Sequence, residues 1–285
     1  MLEKLRKAMK TADIDMLLIP SADPHGSEYP EEYFKARKHF SGFTGSAGTL
    51  LIWQGGAGLW TDGRYFLQAA RQLEGSGIDL FKMREPGVPT VNEFIAENIK
   101  GGVLGADLRT ISASEGMELE KGGAILKDCR SLIDGCWEGR PELSREPAYV
   151  LPMELAGVSS SDKLGAVRAE MARCDANACI FTDLADIAWL FNIRGNDVKY
   201  LPVALSYAIV EKQKAYVFMD AAKAAPIAAH LKALDTEILP YDAIYEFIGR
   251  YGEKDAVMCA LSILNYKLYQ LSLIHISEPT RLQLI

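Results

Sequence analysis

Histidine is scarce in this chain: four in 285 residues, at His25, His39, His230 and His275. Imidazole is the commonest side chain for metal ligation and proton transfer near neutral pH, so the chain is poorly supplied for either. No two of its five cysteines, Cys129, Cys136, Cys174, Cys179 and Cys259, stand in CxxC spacing, and their number is odd. That argues against a structural zinc site and against a disulfide framework, and fits reduced thiols in the cytoplasm. The opening residues, Met1-Leu2-Glu3-Lys4-Leu5-Arg6, lack the apolar stretch of a signal peptide. No apolar run approaches the roughly 20 residues that span a bilayer. With 31 basic against 38 acidic residues, the formal net charge is -7. An acidic excess without a basic run gives a nucleic acid nothing to bind. GxSxG, HExxH and the kinase motifs are absent.

What is present is ordinary globular material. Hydrophobic residues make up 49% of the chain, enough to bury two cores at this length. Leu2, Leu5 and Met9 recur at helical spacing. Met16 to Ile19 is an apolar run of buried-strand length that ends at Pro20. Ser21 to Pro30 reads as a loop. Gly48 to Trp53 and Ala57 to Trp60 flank Gln54-Gly55-Gly56 as a hairpin, and Tyr65 to Gln72 reads as helix. Ser112 and Glu115 have the spacing of a capping box, which predicts a helix running to about Lys127. Periodicity fades between Asp134 and Gly157, where Pro141, Pro147 and Pro152 fall, so an interdomain linker is expected at 134–157.

The second half repeats the logic. A helix over 162–173 precedes an apolar strand over 178–181, a helix over 183–191 follows, and 203–210 with 215–219 form a second hairpin. Each hairpin ends on an aspartate, Asp62 or Asp220, that can precede or cap a helix. Two related α/β domains are expected, at 1–133 and 158–270.

Few residues invite a chemical reading. The run Gly42 to Thr49 is neither a P-loop nor a dinucleotide fingerprint, because no Gly-Lys-Ser/Thr follows and the next element is a strand. It reads as a turn-rich entry into that strand. Arg64 follows a tight turn at a strand end, where ligands meet loops in α/β domains. It is placed to bind a carboxylate or carbonyl, and a solvated or salt-bridged arginine is the alternative. Asp23, His25 and Glu28 share one loop but lack a fourth ligand, so a polar loop is the expectation. Asp183 and Asp186 lie one helical turn apart and fit the charge preference of a helix N-terminus.

Several longer stretches, in this order along the chain, resemble the amino-terminal region of the aminopeptidase P family. They are Ser27 to Tyr29, Phe40 to Thr49, Trp60 to Ala69, Asp186 to Val198 and Ser206 to Ile209. The resemblance runs from Met1 to about Gln270. It implies an α/β fold of two tandem creatinase N-terminal-like domains, each a mixed β-sheet flanked by helices. It further implies that the family's pita-bread catalytic domain, with two divalent metal ions (manganese in most members) on two Asp, one His and two Glu, is absent from this chain. The implied activity of the intact enzyme is removal of the N-terminal residue from Xaa-Pro peptides, as a cytoplasmic homodimer. This part would supply the oligomerisation and substrate-gating domains. No metal ligand and no catalytic residue carries over. Arg64 does, matching a first-domain arginine that reaches toward substrate. A stand-alone binding module or pseudoenzyme is the alternative. A nucleotide-binding enzyme fails for want of a phosphate loop.

The end of the chain is of another character. Leu271 to Arg281 resembles the translation of a transposase sequencing adaptor, so 271–285 is expected to be a non-native tail and is set aside from fold reasoning. A divergent natural segment is the alternative, and the genomic sequence beyond the Gln270 codon separates them.

Overall fold

The computed structural model describes residues 1–252 and 254–273. Its internal contacts divide the chain into two units. The first holds Met1–Asp23 and Glu32–Glu142; the second holds Pro24–Glu31 and the chain from Leu143 onward. The segment 24–31 is thus counted with the second unit, which local sequence could not announce. Residues 274–285, most of the adaptor-like tail, lie outside the described residues.

The first unit is built on six strands: β1 (Met16–Pro20), β2 (Thr49–Trp53), β3 (Gly56–Thr61), β4 (Asp79–Lys82), β5 (Val103–Ala106) and β6 (Ile125–Asp128). They lie in the order β4-β3-β2-β1-β5-β6. β1 is a continuous apolar run because it is interior: it pairs antiparallel with β2 and parallel with β5, so Leu17, Leu18 and Ile19 are all buried. The opening helix, Leu2–Thr11, turns Leu5 and Met9 into the same core. β2 and β3 make the expected hairpin, Trp53 pairing with Gly56.

Two local expectations shift. The helix begun by Ser112, whose side chain accepts from Glu115 N at 3.1 Å, spans only Ala113–Lys121. It stops because Gly123 sits at φ +93, a left-handed backbone that glycine adopts without penalty and that ends helices; Ile125–Asp128 is then strand β6. A second capping box, Thr90 with Glu93, starts the helix Val91–Ile99 and was legible by the same rule. Within 134–157 the structure has more than irregular chain. The helix Arg130–Cys136 reaches into it, Tyr149–Val150 (β7) pairs with a strand below, and Met153–Ala156 makes one helical turn.

The second unit's main sheet contains β8 (Ala178–Phe181), while β9 (Ile193–Arg194) is the partner of β7. The sheet is completed by β10 (Tyr207–Glu211), β11 (Ala215–Phe218), β12 (Thr236–Leu239) and β13 (Val257–Met258), in the order β12-β11-β10-β8-β13. β8–β10 and β10–β11 are antiparallel, whereas β11–β12 and β8–β13 are parallel. This is the first sheet's pattern without a counterpart of β6. Both sheets are therefore mixed, and helices flank them. Val203 to Ser206, expected as strand, stay out of the sheet because their backbone is used elsewhere. Leu205 N donates to Asp197 Oδ2 at 2.6 Å, and Val203 O accepts from Asp197 N at 3.2 Å. Asp197 is also ion-paired with Lys223, both buried.

The first unit holds a comparable buried pair. Asp107 accepts from Arg109 N, Nε and Nη2 at 3.1, 2.9 and 2.6 Å, with both residues buried. Burial works against the carboxylate, but these bonds and the guanidinium charge outweigh it and hold Asp107 below the usual carboxylate range. A folded value below the unfolded one gives stability that is complete above about pH 4 and is lost as pH falls through the folded value. Asp107→Asn is therefore expected to cost about 3 kcal/mol at pH 7 and to make the melting temperature less steeply dependent on pH below about 4. Thermal melts across that range check both; an unchanged melting temperature at pH 7 would show that the pair contributes nothing to stability.

Candidate functional site

The sequence words around Gly42–Thr49 and Trp60–Ala69 fold into one structure. The helix Ala36–Ser41 carries Arg37 inward, and the guanidinium is buried. Its Nε donates to Ser21 Oγ at 2.8 Å, and its two terminal nitrogens donate to the carbonyls of Phe43 and Gly45. The same group lies 4.8 Å from the centre of the Phe43 ring. Burial lowers its pKa to about 10, which leaves it charged at neutral pH.

The loop so held is fastened to the helix Phe66–Gln72. Thr44 N donates to Gln72 Oε1 at 2.9 Å, and Thr44 Oγ1 accepts from Gln68 Nε2 and Gln72 Nε2, each at 2.9 Å. Ser46 Oγ and Tyr65 Oη are 2.7 Å apart. The Phe43 and Tyr65 rings meet edge to face, with centroids 5.9 Å apart. Gly45 lies beneath both rings: a Cβ there would stand 2.3 Å from Phe43 Cζ and 2.8 Å from Tyr65 Cδ1.

Beyond this junction opens a cleft of about 600 Å³, lined by Ala47–Thr49, Thr61–Arg64, Met83 and Arg84. Arg64 stands at it with 68% of its side chain exposed. Its position is set locally. Asp62 Oδ1 accepts from Arg64 N at 3.0 Å and from Nε at 2.9 Å, while Oδ2 accepts from Nη2 at 2.8 Å. Those bonds, chiefly the ones from the side chain, hold Asp62 below the usual carboxylate range. Arg84 escaped the sequence reading. No local signal marks it; the parallel pairing of Lys82 with Thr61 brings the end of β4 beside Asp62. The cleft offers cationic donors and backbone. Guanidinium donors of this kind can bind a carboxylate or a carbonyl.

The other sequence candidates are structural. His25 is fully buried in the second unit, with Nδ1 2.9 Å from Thr182 O and Nε2 2.6 Å from Tyr241 Oη. The carbonyl can only accept, so Nδ1 donates to it, and Nε2 shares a hydrogen bond with the tyrosine hydroxyl. Asp23, His25 and Glu28 are not among any group of described residues that could hold a metal ion. Asp183 caps the helix Leu184–Leu190, accepting from Ala185 N at 2.6 Å and Asp186 N at 3.1 Å. Burial, with the Asp183 charge, raises the Asp186 pKa. The two aspartates border a smaller pocket of about 300 Å³ with Trp189, Cys179 and Cys259. Burial pushes both of these thiols up to about 12, Cys259 adding to the effect on Cys179, so neither is a nucleophile at neutral pH. Among the described residues no group of three or more His, Cys, Asp or Glu could hold a metal ion. The described residues therefore do not fit a dinuclear centre. Among the described residues no helix is long and apolar enough to cross a membrane.

The Creatinase/Prolidase N-terminal domain profiles match residues 1–136 and 139–282. A probable Xaa-Pro aminopeptidase P of Coccidioides posadasii is 39% identical over 252 residues, which cover 86% of this chain and 41% of the relative. Aminopeptidase P1 of Lotus japonicus is 38% identical over 245 residues, covering 83% and 37%. The crystal structure of X-prolyl aminopeptidase from Caenorhabditis elegans, described as a cytosolic enzyme with a di-nuclear active site, superposes with a TM-score of 0.88 at 31% identity. That match covers 95% of this chain and 48% of the other. The chain thus spans about two-fifths of the length of these curated relatives.

The packing at Gly45 generates a prediction. Gly45→Ala forces a methyl group against two rings that are themselves pinned, an overpacking expected to cost about 2 kcal/mol. Urea unfolding measures it; an unchanged midpoint would show that the rings move aside freely.

Proposed function

Because this chain belongs to the creatinase/prolidase N-terminal domain family, we propose that it is the front part of an Xaa-Pro aminopeptidase, with the hydrolytic centre in a segment beyond it. The observation that carries this reading is the likeness to the C. elegans enzyme, which extends over nearly all of this chain and about half of that one. The enzyme removes the N-terminal residue from peptides with proline in second place. In this reading the two divalent metals, manganese by family habit, are held by the remainder of the protein, and this chain by itself hydrolyses nothing. The intact enzyme is a cytoplasmic homodimer, and these domains contribute to its association and gate the approach of substrate. The expected division into domains at 1–133 and 158–270 belongs to the same proposal.

Arg64 is the residue here that contacts substrate. Its guanidinium is aimed by Asp62 and Tyr65 rather than by the core, so it is positioned at little cost to folding. An arginine in that setting donates to a peptide carbonyl or carboxylate with its geometry already fixed.

The test joins this chain to the catalytic region of a relative. Arg64→Ala is expected to lower kcat/KM for an Xaa-Pro peptide about tenfold, the value of one charge-assisted hydrogen bond, with the melting temperature nearly unchanged. A large loss of stability with unaltered kinetics makes the residue structural. The chain alone, in excess manganese, is expected to release no N-terminal residue from the same peptide. Metal-dependent turnover by the purified chain contradicts the proposal.

A further inference from the structure

The two units differ at one equivalent place. Each sheet has a parallel pair of strands, β1 with β5 and β8 with β13, and the carboxyl ends of such strands are where α/β sheets meet ligands. In the first unit that place is filled. Ile133 and Arg140, from the chain after β6, close over the ends of β1 and β5, and a cavity of only about 20 Å³ remains. In the second unit no sixth strand follows β13 among the described residues. The same place is a pocket of about 300 Å³, lined by 179–183 at the end of β8 and by residues of 259–264 after β13. That is the lower end of the range in which proteins hold small molecules.

The pocket runs from an apolar interior to an acidic rim. Cys179 and Cys259 line it and are 1% and 2% exposed, and neither sulfur has a hydrogen-bond partner among the described residues. Two buried thiols thus meet the pocket with their weak donors unused, beside the apolar wall of Ile180, Ile263 and Leu264. At the rim Asp183 spends Oδ1 on the N–H groups of Ala185 and Asp186. The Asp186 carboxylate accepts no hydrogen bond and makes no ion pair among the described residues. It stands close enough to Asp183 for the two charges to oppose each other. Trp189, 53% exposed, completes the rim. Lys163 Nζ lies 4.5 Å from the Trp189 ring centre, but it donates to Trp189 O and Asn192 Oδ1 and does not line the pocket. No set of three or more His, Cys, Asp or Glu forms here to hold a metal ion.

We propose that this pocket binds an aliphatic chain ending in an ammonium group, the chain against the thiols and the apolar wall, the cation at Asp186 beside Trp189. A cation suits the rim because it relieves the opposition of two aspartate charges and is attracted by an aromatic ring. A hydrocarbon chain suits the interior because thiols and aliphatic side chains would leave a polar group there without a partner. The ammonium comes either from a free alkylamine or from a lysine side chain, which present the same chain and head. The site shares no residue with the Arg64 cleft and does not rest on the aminopeptidase reading.

The experiment titrates the isotope-labelled chain with four probes and follows the amides of Thr182 and Asp186 and the indole N–H of Trp189 by NMR. Pentylamine carries chain and charge, and N-acetyl-lysine amide carries both on a peptide backbone. Pentanol lacks the charge, and tetramethylammonium lacks the chain. At least one of the first two is expected to bind about fivefold or more tightly than either of the others, and which one does so identifies the source. Asp186→Asn is expected to remove the gain over pentanol without lowering the melting temperature, since that carboxylate has no partner to lose. Ala260→Leu, which puts bulk into the pocket from a partly exposed position, is expected to abolish binding of the tighter probe. Equal binding of ammonium and alcohol overturns the inference, as does an absence of binding by all four probes. A gain that survives Asp186→Asn also overturns it, and so does binding that survives Ala260→Leu in a folded chain, because the cation or the chain would then lie elsewhere.

Discussion

Arg37 occupies a place where an arginine has to be compensated group by group. Removing a guanidinium from water costs several kcal/mol unless its donors are taken up. Here they go to Ser21 Oγ and to the carbonyls of Phe43 and Gly45, with the Phe43 ring against the charge. The loop has little choice of path once those carbonyls are fixed. Gly48, further along it, accepts from Ser21 N and Oγ at 3.0 and 2.7 Å, which joins the loop to the end of β1. Thr61 Oγ1 donates to Ala47 O at 2.7 Å, which joins it to the end of β3. The cleft wall, the Tyr65 ring and the start of β2 all hang on this one buried cation.

The two units use one sheet pattern to different ends. In the first, β3 runs into Asp62, and Asp62 directs an exposed arginine to a cleft. In the second, β11 runs into Asp220, which accepts from Ala222 N and Lys223 N at 2.9 and 3.3 Å and so caps a short helix. The cation of that helix, Lys223, turns inward to the buried Asp197. A strand end that presents charge to solvent in one unit consumes it in an internal ion pair in the other. Asn192 and Lys163 extend the same internal use: Lys163 Nζ donates to Asn192 Oδ1 at 2.6 Å and to Trp189 O at 2.8 Å. The Asp186–Val198 stretch, distinctive as sequence, is therefore largely a structural device.

What was legible in the sequence is what neighbours decide. Apolar runs marked β1 and β8, the Gly-containing turn marked the first hairpin, and Asp183 marked a helix start, because each depends on a few adjacent residues. The helix after Ser112 ends short of Lys127 because Gly123 takes a left-handed backbone, and a capping signal marks where a helix starts, not where it stops. β4, β5 and β6 were not picked out: β4 and β6, at the sheet's two ends, are short and half exposed, and only pairing defines them. For the site, Arg64 was found through its turn and a family resemblance. Arg37 and Arg84 were invisible. One looks like any surface arginine in a basic helix until its carbonyl acceptors fold over it; the other reaches the cleft only through a parallel pairing across the sheet.

Arg37 organises the loop that shapes the cleft. Hydrogen exchange compares the wild-type chain with Arg37→Met, which keeps apolar bulk but offers no donors. The amides of Ser21, Phe43 and Thr44 report on the loop, since they donate to Gly48 O, Ser41 Oγ and Gln72 Oε1. The β10–β11 ladder of the other unit serves as reference. These three amides are expected to lose protection in Arg37→Met while the reference ladder keeps its own. Retained protection at all three would contradict it, and would place the organising interaction elsewhere.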